Sequence, residues 1–167
     1  MATPVHETFF KRYLDRIDGP DLKSLLMESS QYVMSILESI DETKSQYKYA
    51  PDKWTIKEVV SHMIDVERVM AFRALWFGRG SNDALAGFDD VIWENNSAAG
   101  DHSFSQLLAD YKSTRAATLA LLQTIPENAL QNKGEASEVE FTVDALFRVI
   151  MGHEQHHMDV LKERYLG

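Results

Sequence analysis

The chain of 167 residues contains no cysteine. Disulfides, thiolate metal ligands and a cysteine nucleophile are therefore excluded. Any metal must be held by imidazole, carboxylate or carbonyl groups, and any thiol chemistry must take its thiol from a cosubstrate. Nor is there a run of about 18 apolar residues, which a membrane-spanning helix needs. The opening residues, Met1-Ala-Thr-Pro-Val-His-Glu, lack a basic region followed by an apolar stretch. No signal peptide is expected, and the expected location is the cytoplasm. The 17 lysines and arginines are scattered and outnumbered by 26 acidic residues, giving a formal net charge of −9. Such a chain repels a phosphate backbone and an anionic membrane surface, so neither nucleic acid nor membrane is an expected partner. No internal repeat or low-complexity tract stands out.

What the chain does carry is helical periodicity. Its length, with 44% hydrophobic and 26% charged residues, fits one globular domain over residues 1–167 with a sizeable core. Phe9, Phe10, Tyr13, Leu14 and Ile17 are spaced for a short N-terminal helix that Gly19-Pro20 interrupts. Pro20 suits a first helical position, and Asp21 to about Ile40 follows as the first long helix, with Leu22, Leu26, Val33 and Leu37 inward. Residues 41–53, with Pro51, read as loop. Thr55-Ile-Lys-Glu58 is a capping box that opens a second helix to about Phe77, which Gly78 and Gly80 end. Residues 79–101 read as neither helix nor strand; they form either a functional lid or a crossing loop packed by Leu85, Phe88, Ile92 and Trp93. Ser103 and Gln106 form a second capping box, opening a third helix to about Thr124 before Pro126. Ser137–Phe141 alternates weakly, but one strand without a partner is not a sheet. Thr142 is placed to cap a fourth helix ending at Tyr165. Four amphipathic helices and no credible sheet predict an all-α fold: a four-helix bundle with a short N-terminal helix and a long loop between helices 2 and 3.

The chemistry concentrates in the fourth helix. Leu146, Val149, Ile150, His153, His157, Val160 and Leu161 recur at three- and four-residue steps and define one apolar face. Two imidazoles on that face need partners, because an unpaired buried polar group costs about 1–3 kcal/mol. A divalent ion satisfies both, and histidines four apart on a helix are a usual way to supply two ligands. Such a pair also arises in ordinary cores, so a third group is needed. His62, flanked by Val59 and Val66, faces inward on the second helix. Three imidazoles leave metal positions open, which marks a catalytic site more than a structural one. Glu58 and Asp65 lie one turn either side of His62. With Glu154 and with His156, one residue off the stripe, they are candidates for orientation or proton transfer. His153-Glu154-x-x-His157 also matches a zinc-protease pattern, but too little chain follows it to supply a third ligand well downstream. A ferritin-like di-iron site would need a second E-x-x-H, and none occurs. Three structural histidines in a non-catalytic bundle, a binding or stress-response protein, is the alternative of a different class.

Trp54-x-x-x-Glu58-x-x-x-His62-x-x-Asp65-x-Glu67 resembles the second-helix motif of the DinB-like (YfiT-like) superfamily, and Gly152-His153-Glu154-x-His156-His157 resembles its fourth-helix motif. Gly80 followed by Ala86-Gly87-Phe88-Asp89-Asp90-x-x-Trp93 is similar to a loop in one branch. The resemblance runs from about Pro20 to Tyr165. It implies a four-helix bundle, often a homodimer, and a divalent metal, nickel or zinc, held by three histidines that map onto His62, His153 and His157. It implies a small-molecule substrate, turned over either by hydrolysis or by transfer of a low-molecular-weight thiol such as bacillithiol or mycothiol. A homodimer would also give a use to the aromatics Phe9, Phe10, Trp76 and Phe77.

Overall fold

The computed structural model describes residues 2–167. Strand β1 (Thr3–Pro4) and a single turn, α1 (Lys11–Leu14), lead into α2 (Leu22–Leu37). A short α3 (Glu42–Ser45) precedes α4 (Ile56–Gly78), and α5 (Asp90–Asn95) precedes α6 (Phe104–Gln123). Strands β2 (Lys133–Ala136) and β3 (Val139–Thr142) then deliver the chain into α7 (Val143–Val160), which continues as a π-helical turn, Leu161–Leu166.

The long helices start where their caps direct. The Asp21 carboxylate accepts the backbone N–H groups of Lys23 and Ser24, so α2 begins after Asp21 and Pro20 stays outside it. Both capping boxes close reciprocally: Thr55 with Glu58, and Ser103 with Gln106. The Thr142 hydroxyl accepts the Ala145 N–H and starts α7. Four helices, α2, α4, α6 and α7, make the bundle. α7 packs on α4 and α2, α6 closes against both of those, and α1 lies across α7.

The core is divided. One apolar cluster gathers Phe77, Phe141, Leu146 and Phe147 toward the hairpin; a second gathers Val60, Ile64, Met158 and Leu161 toward the other end. In α7 the two are separated by Gly152–His157; in α4 the second runs to Ile64 and the first starts at Val66. His153 and His157 therefore form a polar layer between the two dry clusters, and His62 reaches it from the part of α4 that carries the second cluster.

A purely all-α architecture is not what forms. The described residues include a three-stranded sheet in the order β1-β3-β2, with β3 parallel to β1 and antiparallel to β2. The partner that Ser137–Phe141 lacked on paper is Lys133-Gly-Glu-Ala, a polar stretch with no strand signature of its own. Ser137 and Glu138 turn the hairpin at φ 56° and 63°, the sign that matches the right-handed twist of the flanking strands. A Cβ at Gly134 would stand 2.1 Å from the Phe77 ring, so only glycine lets β2 lie against α4.

Three further differences concern the connections. Residues 79–101 are partly ordered as helix, because the Asp89 carboxylate accepts the Ile92 N–H and caps α5. Residues 41–53 include α3, capped by Asp41. The N-terminal helix is only one turn, since its aromatics are engaged individually: Phe10 meets Phe141 edge-on at 5.0 Å. Phe10 and Phe77 are buried in the chain's own core, which leaves Phe9 the exposed member of the pair at positions 9 and 10. Among the described residues no helix is long and apolar enough to cross a membrane.

Candidate metal centre

His62 reaches into the polar layer from α4, and His153 and His157 reach in from successive turns of α7. His153 Nε2 lies 3.0 Å from His62 Nε2 and 3.1 Å from His157 Nε2. One nitrogen atom of each ring falls within 4.8 Å of the other two. Trp54 packs on the His62 ring at 5.0 Å, and Tyr13 meets the His153 ring edge-on at 5.3 Å. These contacts hold the rings against rotation.

Burial fixes the charge state. Desolvation pushes His153 well below the usual imidazole range, and the neighbouring His157, His62 and His156 push it the same way. Burial brings His157 down to about 3. His62 is lowered by burial as well, opposed by the carboxylates of Asp90 and Asp65. All three rings are neutral at neutral pH. A neutral imidazole carries one N–H, so His153 Nε2 can share one hydrogen with one neighbour and cannot satisfy both. Each ring offers one nitrogen to this cluster, a donor set that a divalent ion would satisfy. The spacing suits one: two nitrogens about 2.1 Å from a common ion at a right angle lie about 3.0 Å apart.

The other residues singled out in the sequence are placed differently. His156 sits beside the cluster, half-buried, its ring 5.3 Å from that of His157 and 5.9 Å from Tyr13. Asp65 is partly exposed and faces Arg68 at 3.4 Å, while its charge is felt at His62. The Glu58 carboxylate accepts the Thr55 N–H at 2.6 Å and faces Lys48 at 3.7 Å, so it serves the α4 cap. Glu154 turns away into a fully buried network. It accepts the Ser29 hydroxyl, the Tyr111 hydroxyl at 2.9 Å and Arg115 Nη2 at 2.7 Å. Arg115 also grips Glu67 through Nε and Nη2 at 2.8 and 2.9 Å. This network pins α7 to α2, α4 and α6 one residue from His153.

Two groups had gone unnoticed in the sequence. Arg115 could have been found, since Tyr111, Arg115 and Thr118 share the inward stripe of α6 and a charge there demands a partner. Glu94 had no such signal. It is 6% exposed, its Oε1 accepts the Ser97 hydroxyl, and its Oε2 has no partner among the described residues. Burial, together with the charges of Glu58 and Asp65, pushes its carboxyl up to about 7.

A helical bundle that brings three neutral imidazoles from two helices to one buried point belongs with the bundle proteins that build a site in their core. Residues 25–161 match the family model of the DinB superfamily, and the chain belongs to that superfamily. Among solved structures it is similar to YfiT from Bacillus subtilis, described as a probable metal-dependent hydrolase with an unusual four-helix bundle topology. The TM-score is 0.74 at 17% identity, over 85% of this chain and 82% of that one, which is a likeness of fold. No curated protein matches the sequence.

Proposed function

We propose that this protein is a metal-dependent enzyme acting on a small molecule, with His62, His153 and His157 as the ligands of one divalent ion. The observation that carries this is the convergence of three neutral imidazoles, His62 and His153 buried and His157 partly so, with one nitrogen of each within 4.8 Å of the other two. Nickel or zinc suits an all-imidazole set. When bound, such an ion supplies Lewis acidity and a lowered pKa for the group it activates. The reading extends to two reactions on a small electrophile, hydrolysis or transfer of a low-molecular-weight thiol, since the chain itself offers no thiol.

The chain's own groups have definable work. Trp54 and Tyr13 orient two of the rings, and the apolar clusters above and below exclude water. The Glu67–Arg115–Glu154 network keeps α7 in register with α4, so the histidines stay in reach of one another. His156, whose ring lies 5.3 Å from that of His157, is the candidate at the rim to exchange a proton. Location in the cytoplasm and pairing into a homodimer belong to this reading on the grounds given by the sequence and the family resemblance; sedimentation at 19.0 kDa would reject the dimer.

The test is metal content by mass spectrometry on untagged protein and on the His62→Ala and His157→Ala variants. The expected result is about one nickel or zinc ion per chain, lost in both variants. Wild-type protein that neither contains nor takes up either metal would leave a bundle with core histidines and no enzyme. Turnover of an electrophile only with added thiol favours transfer, and thiol-independent turnover favours hydrolysis.

A further inference from the structure

Arg73 has no counterion. It is 1% exposed, yet no carboxylate among the described residues pairs with it. Its Nη2 donates to the Ala86 carbonyl at 3.0 Å and to the Ser137 hydroxyl at 2.9 Å, and its Nη1 meets only the Met70 sulfur at 3.7 Å. The other buried cations among the described residues are compensated, Lys57 by Glu42 and Arg115 by Glu67 and Glu154. A buried guanidinium with neutral partners alone is costly, and a chain that keeps one usually presents it to something negative.

That something has a place to sit. Arg73 lines a cavity of about 400 Å³ whose other walls include Phe10, Tyr13, Met70, Phe88 and His153. The volume is in the range of small-ligand sites, and an apolar lining with a few polar groups is their usual composition. The same cavity is lined by His153, part of the three-histidine cluster, and by Arg73. Asp89 and Asp90 share a wall, but Asp89 is engaged in capping α5, and neither forms an ion pair with Arg73. His62 and Arg73 are three turns apart, about 16 Å along α4, and helical side chains lean toward the N-terminus, which brings the guanidinium back toward the histidines. Ser137, the neutral partner of Arg73, is held in a left-handed conformation at φ 56°. Backbone strain of that kind persists where surrounding contacts fix it, and here it places a hydroxyl beside the cation.

We propose that Arg73 is the substrate-binding cation of this cavity: it holds the carboxylate of a small organic acid whose apolar, preferably aromatic, body lies along Met70, Phe88 and Phe10 and whose reacting end meets the histidine cluster. This rests on the metal-dependent reading for its catalytic meaning, but the anion site can be measured without the metal. The carboxylate is the shared chemistry of an acidic electrophile and of an acidic thiol cosubstrate, and either would be read by the same guanidinium.

The experiment is a protein-observed NMR titration of 3-phenylpropionate and of its neutral amide, 3-phenylpropionamide. It is run on chelator-treated and on zinc-loaded protein, for the wild type, Arg73→Met and Arg73→Lys. In the metal-free wild type the acid should bind at millimolar concentration, about tenfold or more tighter than the amide, with shifts at Met70, Phe88 and Ser137. Arg73→Met should abolish the preference for the acid while leaving amide binding unchanged, and Arg73→Lys should restore part of it. A merely structural Arg73 would weaken both ligands alike. Equal binding of acid and amide to the wild type needs no variant to overturn the proposal, and so does binding of neither. Acid binding that appears only with zinc and survives Arg73→Met would assign the carboxylate to the metal, overturning the proposal while the metal reading stands. An acid-selective, Arg73-dependent site in a protein that takes up no metal would do the reverse. Acidic thiols run in parallel with thiol-free acids distinguish the two sources by which competes for the Arg73-dependent shifts.

Discussion

Gly152→Ala sets two physical effects against each other, and their sizes decide the sign. Gly152 lies in the middle of α7, where replacing glycine with alanine ordinarily gains about 1 kcal/mol from helix propensity. But a Cβ at this position would stand 2.1 Å from the Tyr13 carbonyl oxygen, 2.6 Å from its carbon and 2.8 Å from its Cα. These are backbone atoms, so no side chain can rotate out of the way. Tyr13 would have to retreat by about 1.3 Å to reach ordinary contact. That segment is tied down, with Tyr13 and Phe10 buried and the Tyr13 carbonyl accepting the Arg16 N–H at 3.2 Å. Overpacking of this kind costs about 1–3 kcal/mol and sometimes more; with part of the N-terminal packing lost as well, the net expectation is a loss of about 2 kcal/mol. For a chain of this size that is a fall in Tm of about 4–8 °C. Urea denaturation followed by circular dichroism measures it, with Gly100→Ala as the control, since a Cβ there meets nothing within 4 Å. The control should be neutral or slightly stabilising. If Gly152→Ala is as stable as the wild type, α1 does not lie on α7 as described, and the packing of Tyr13 on His153 goes with it.

Three other expectations follow from the same geometry. Glu94 takes up a proton more readily folded than unfolded, because its carboxyl is raised from 4.5 to about 7. The stability this proton carries is present below the unfolded value and is lost as pH rises through about 7. Most neighbours of Glu94 are exposed, so solvent screens part of the penalty, and Glu94→Gln should raise stability by about 1 kcal/mol at pH 8 and leave it unchanged near pH 4; a pH-independent difference in urea midpoints would refute this. Arg115→Met strands Glu67 and Glu154 in the core and should cost about 3–5 kcal/mol near neutrality, with a smaller loss in acid, where the stranded carboxylates protonate. A cost that does not shrink in acid would speak against two ionised partners. Thr55→Ala removes the hydroxyl that accepts the Glu58 N–H at 3.1 Å and should cost about 1 kcal/mol by thermal denaturation; no change would mean the α4 cap carries no weight.

How far the sequence reaches depends on how local the cause is. Helix starts were legible because a cap is settled within four residues, as at Thr55 and Ser103. The inward stripe of α7 was legible because the 3.6-residue period places His153 and His157 on the face carrying Val149 and Ile150. Since His62 obeys the same period on α4, the candidate ligands could be chosen before any contact was known, and the fold brings all three to one point. The roles expected around them were not legible. Glu154 was read as a neighbour of the cluster, but its direction is set by Arg115, Tyr111 and Ser29, which lie on three other elements. Glu58 was read both as a cap and as a neighbour of His62, and the geometry gives it to the cap.

Periodicity, capping boxes and the absence of cysteine thus determined by themselves the helices of the bundle, its inward histidines and the exclusion of thiolate ligands, since each depends only on chain-local spacing or residue type. The rest was decided in three dimensions. β2 is polar and becomes a strand only because β3 and the Phe77 ring are there to meet it. Glu94 is buried only because α5 folds back on α4. Gly152 is required only by the Tyr13 backbone. Arg73 stands without a counterion only because the connection after α4 and the hairpin turn close around it with a carbonyl and a hydroxyl. The common reason is that burial and charge compensation are properties of neighbours far away in the chain, and a neighbour exists only once the helices have packed.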